Sequence, residues 1–71
     1  MSDQIHVFVN DERVKIYRGM HVKHALISRD YALYKAAEEG MIFVEDEHGF
    51  RVELEGTLHM GARIYTKPVT P

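Results

Sequence analysis

His21 and His24 stand three residues apart, a spacing that on a helix lets two imidazoles reach one metal ion. A third ligand would have to come from His48, His59 or the acidic run Glu45-Asp46-Glu47. No sequence rule brings any of these near, so the pair reads as part of a solvated helix face and no metal is assigned. Ser28 follows His24 by four residues and superficially pairs a nucleophile with a base. The orienting carboxylate, the strained turn and the oxyanion donors of an acyl-transfer site are all missing, so Ser28 reads as a helix-surface residue. Glycosidic chemistry needs two carboxylates across a cleft, which so short a chain does not obviously build. Glu38, Glu39, Glu45, Asp46, Glu47, Glu53 and Glu55 read instead as solvated, or as a surface for a basic partner or a second copy. With no cysteine there is no thiol nucleophile, no disulfide and no cysteine-held zinc or iron-sulfur centre. No catalytic residue and no cofactor is assigned, and the chain is expected not to be an enzyme.

The 71 residues, 45% of them apolar, make one small domain, with an ordered core expected from about residue 4 to 67. A domain of this size buries only about 60% of the surface its unfolded chain exposes, so nearly every apolar side chain is needed for the core. The longest apolar runs, Val7-Phe8-Val9 and Met41-Ile42-Phe43-Val44, are far shorter than the roughly 20 residues of a membrane-spanning helix. The start, Met1-Ser2-Asp3-Gln4, has neither the basic nor the apolar part of a secretory signal. Together with the absence of cysteine, this leads to the expectation of a cytoplasmic protein that does not enter membranes. The net charge is −2 but unevenly placed: residues 1–35 carry six Lys or Arg against four Asp or Glu, and residues 36–71 carry three against seven.

The elements follow from periodicity. Ile5 to Val9 is rich in β-branched and aromatic residues, Asn10-Asp11-Glu12 suits a turn, and Arg13 to Tyr17 alternates charged with apolar side chains. These two runs predict a hairpin. Val22, Ala25 and Leu26 then recur with helical spacing, and Asp30 is placed to cap a second helix over Tyr31 to Glu39, stopped at Gly40; the two could also merge into one bent helix. Met41 to Glu45 and Phe50 to Leu54, joined by Asp46-Glu47-His48-Gly49, predict a second hairpin. Ala62 to Thr66 predicts a final strand after the connection from Glu55 to Gly61.

This ββαβββ order resembles the β-grasp (ubiquitin-like) superfamily over almost the whole chain. The resemblance is carried by Val9-Asn10-Asp11-Glu12-Arg13-Val14, by Arg18-Gly19-Met20-His21-Val22-Lys23-His24-Ala25-Leu26, and by Leu58-His59-Met60-Gly61-Ala62-Arg63-Ile64. It implies an α+β fold: a mixed sheet of about five strands, its first and last strands parallel at the centre, with one or two helices on one face. The ferredoxin-like branch holds its cluster with cysteines, and this chain has none to offer. The sulfur-carrier branch works through a terminal Gly-Gly, whereas here the end is Lys67-Pro68-Val69-Thr70-Pro71 and Gly61 precedes the last strand. What the resemblance leaves is recognition modules such as the TGS type, or a cluster-less accessory subunit of a redox complex.

If Ile5, Val7, Val9, Val14, Ile16, Ala62 and Ile64 face the helix, alternation turns their neighbours to the other side of the sheet. Those neighbours are His6 and Phe8, then Arg13, Lys15 and Tyr17, then Arg63, Tyr65 and Lys67, which together form the expected binding surface. Cations beside aromatics suit docking of a protein with an acidic surface, and alternatively suit stacking on nucleic-acid bases. The bland reading is that the same residues only stabilise an exposed sheet through cross-strand pairs and guard its edge.

Overall fold

The computed structural model describes residues 3–69; Met1-Ser2 and Thr70-Pro71 lie outside the described residues. The elements in chain order are β1 (Gln4–Val9), β2 (Glu12–Tyr17), α1 (Val22–Arg29), α2 (Tyr31–Glu38), β3 (Ile42–Asp46), β4 (Arg51–Val52) and β5 (Arg63–Pro68). The five strands form one mixed sheet in the order β2-β1-β5-β3-β4. Its two central strands, β1 and β5, run parallel, with Phe8 beside Arg63 and Val9 beside Ile64, while every other pair is antiparallel. This is an α+β arrangement whose element order follows the periodicity, and its parallel central strands are β-grasp-like, as the resemblance implies.

One sheet face and the helices share the core. Ile5, Val7, Val9, Val14, Ile16, Ala62 and Ile64 are all buried, together with Val44 and the α1 stripe Val22, Ala25 and Leu26. Each fully buried aliphatic side chain contributes roughly 1.5–3 kcal/mol, which in so small a domain makes this cluster the main source of stability. Leu33, Tyr34 and Ala37 of α2 pack at its margin.

Three details depart from the expected pattern or decide between alternatives. The helices are separate: Asp30 is extended (φ −171°, ψ 118°), ends α1 and caps α2, its carboxylate accepting the Ala32 N–H at 3.0 Å. The fourth strand is two residues long rather than five, because the chain leaves the sheet to meet α1. There Leu54 and Gly56 carbonyls accept the Lys23 and Val22 N–H groups at 3.0 and 2.8 Å, filling helix-start donors that have no partner within the helix. The last strand begins at Arg63 and extends through Pro68, beyond the expected Thr66. Val69 N–H donates to the Met41 carbonyl at 3.0 Å, so strand alternation turns the nitrogen of Pro68 away from β3, where no ladder bond is needed.

Candidate functional site

Side-chain parity in the registered sheet decides which residues share the face opposite the helices. On β2 and β1, Arg13 stands opposite Phe8, Lys15 opposite His6 and Tyr17 opposite Gln4; Arg63 of β5 flanks Phe8 on its other side. Phe8 therefore lies between two arginines. The Arg63 guanidinium stacks over its ring at 4.2 Å, and His6 meets the ring edge-on at 6.3 Å. Tyr65 and Lys67 continue along β5 on the same face. All eight residues expected at the surface share this side of the sheet, though not in one cluster. Tyr17 is four residues along β2 from Arg13, about 13 Å at strand rise, and so is Lys67 from Arg63 along β5. Tyr17 is 54% exposed, whereas Phe8 and Tyr65 are half-buried under or beside their neighbours rather than fully open to water.

The far half of the face was not anticipated. Phe43 and Glu45 of β3 pair with Lys67 and Tyr65, and Arg51 of β4 pairs with Glu45. The Arg51 guanidinium covers the Phe43 ring at 4.8 Å, repeating the Arg63–Phe8 arrangement two strands away. The signal was present in the alternation around buried Val44, but its use requires knowing that β3 lies beside β5.

The charges divide sharply between the two layers. On the helix side, Lys23 pairs with Glu55 at 2.8 Å, Arg29 with Glu12 at 2.8 Å and Lys35 with Glu38 at 3.3 Å. The acids respond: the hydrogen bond from Lys23 holds the Glu55 carboxyl below its ordinary range, and those from Tyr34 and then Lys35 do the same for Glu38. On the open face, Arg63 has Asp11 at 3.6 Å, whereas Arg13, Lys15, Arg51 and Lys67 have no acidic partner among the described residues. Glu45 is the acid embedded among them.

The β1–β2 turn fixes one end of this face. Asn10 and Asp11 both take left-handed backbone conformations (φ 51° and 68°), which asparagine and aspartate tolerate better than most residues and which suit a two-residue hairpin turn. The Asn10 side chain donates to Thr66 Oγ1 and accepts the Thr66 N–H, both at 2.9 Å. It thereby continues the β1–β5 ladder past the end of β1.

Three of the chemistry-bearing residues singled out from the sequence, His24, Ser28 and Asp46, are occupied structurally. His24 Nδ1 accepts the His21 N–H at 2.9 Å at the start of α1, and the two rings stack at 5.5 Å. That lone pair is thus spent on the backbone, and no group of three or more potential metal ligands exists among the described residues. Ser28 Oγ donates to the Lys15 carbonyl at 3.3 Å, tying α1 to the edge of β2. Asp46 closes the β3–β4 turn by accepting the His48 and Phe50 N–H groups at 2.8 and 2.9 Å. Among the described residues no helix is long and apolar enough to cross a membrane. Comparison with protein-family profiles, with characterised proteins and with solved structures finds no match to this chain.

Proposed function

We propose that the protein is a non-catalytic binding module that docks an acidic surface of a protein partner on its open sheet face; the recognition modules that the chain resembles likewise use the sheet or its edge for docking. The observation supporting this is the partition of charge. Cations on the helix side have carboxylate partners of their own, while among the described residues Arg13, Lys15, Arg51 and Lys67 form no ion pair within 4 Å, and the single acid set among these four on the open face is Glu45, in a chain that is acidic overall. An unpaired cation beside an aromatic ring is a ready site for a carboxylate, and stacking on Phe43 holds the Arg51 guanidinium flat, with its N–H edge free.

Nucleic-acid binding fits the same face less well. A base needs an open ring on which to stack, and one face each of Phe8 and Phe43 is covered by a guanidinium group, which leaves Tyr17 as the most exposed ring on this side. Titrating the protein with hexaglutamate and with a single-stranded RNA oligonucleotide at low salt tests the reading. Hexaglutamate is expected to perturb the open face, to weaken with added salt, and to bind about tenfold more weakly after Arg13→Glu plus Arg51→Glu. RNA binding that is lost on Phe8→Ala or Tyr65→Ala would replace this reading with the nucleic-acid one. Absence of binding by either probe would overturn both.

A further inference from the structure

Asp11 is the one acid in the β1–β2 turn whose carboxylate reaches over the open face. Its Oδ1 accepts the Tyr65 hydroxyl at 3.2 Å and lies 3.6 Å from Arg63 Nη1. The two donors are two residues apart on β5, on one side of the sheet, and Arg63 is further oriented by its stacking on Phe8. Two convergent donors with different chemistry, one charged and one neutral, define a place for a carboxylate. The group now there is weakly held: the Asp11 side chain is 71% exposed, and a single oxygen makes both contacts.

We infer that Arg63 and Tyr65 form a carboxylate-binding subsite which Asp11 fills in the free protein and which a glutamate or aspartate of the acidic partner takes over on docking. This rests on the docking reading above and adds a built-in competitor to it. An exposed ion pair of this kind is weak, so displacement is easy, but the competitor lowers the fraction of molecules ready to bind and hence the apparent affinity. Asp11 reaches the subsite because its turn sits beside β5, and its left-handed backbone is one that asparagine also accepts. Asp11→Asn therefore removes the competing charge without straining the turn.

The test is hexaglutamate binding followed by amide and arginine Nε–Hε NMR shifts. Asp11→Asn is expected to bind about two- to fivefold more tightly than the parent protein. Asp3→Asn, which makes the same change in net charge away from the subsite, is expected to stay within about twofold of the parent. Tyr65→Phe keeps the ring, loses the donor, and is expected to cancel much of the gain in the Asp11→Asn background. Equal affinities for Asp11→Asn and Asp3→Asn would overturn the subsite. So would shifts at Arg13, Lys15, Arg51 and Lys67 with none at Arg63 or Tyr65, which would leave the docking reading standing. A face unperturbed throughout would remove the docking reading and this inference together.

Discussion

Asn10→Ala is expected to destabilise the protein far more than its exposed position suggests. The side chain makes two hydrogen bonds to Thr66, each contributing about 0.5–1.5 kcal/mol net. Thr66 is half-buried beyond the end of β1, so its N–H gains only partial access to water once Asn10 is gone. Alanine at φ 51° adds about 1–2 kcal/mol of left-handed backbone strain, part of which asparagine escapes. The total is about 2–5 kcal/mol, a large share of the roughly 5 kcal/mol available to a domain of this size. Asn10→Gly loses the same two bonds but accepts the backbone without strain, and so should cost about 1–3 kcal/mol. Thermal unfolding followed by circular dichroism would then place the glycine variant about 4–8 °C above the alanine variant for each 1 kcal/mol between them. If the two variants melt together, backbone strain at this turn plays no part. If both melt with the parent protein, the Thr66 clamp is not a stabilising contact.

Leu26→Ala, in the centre of the buried cluster, should cost about 2–5 kcal/mol and leave the domain near the limit of folding, while Ile27→Ala, one residue on and 39% exposed, should cost under about 1 kcal/mol; urea unfolding of the pair checks which side of α1 faces the sheet. Acid should destabilise the protein partly through Glu55. Because the hydrogen bond from Lys23 lowers its folded-state pKa, its contribution is fully present above the ordinary glutamate range and is lost as pH falls through the lowered value. Unfolding curves of the parent and Glu55→Gln should differ at neutral pH, more at low salt than at high, and converge in acid; a difference that persists in acid would point to another cause.

Much of this protein was legible in the sequence because strand parity is a local property. Once Ile5, Val7 and Val9 are assigned to the core, His6 and Phe8 have only the other face to occupy, and the same holds for Arg13, Lys15 and Tyr17 and for Arg63 and Tyr65. The extended break at Asp30 was signalled by its capping chemistry, though not its depth, since one bent helix suits the same residues.

What the chain could not reveal locally is which strand lies beside which. Phe43, Glu45 and Arg51 join the open face only because β3 packs against β5, a contact between residues 18 to 26 positions apart that is settled by the fit of the whole core. The pairing of Lys23 with Glu55 and of Arg29 with Glu12 likewise depends on tertiary proximity, whereas Lys35 and Glu38 are three residues apart on one helix. Periodicity assigns a side chain to a face, because successive Cβ atoms must alternate. Its neighbours across the sheet, and therefore whether its charge is spent or free, are decided by long-range packing.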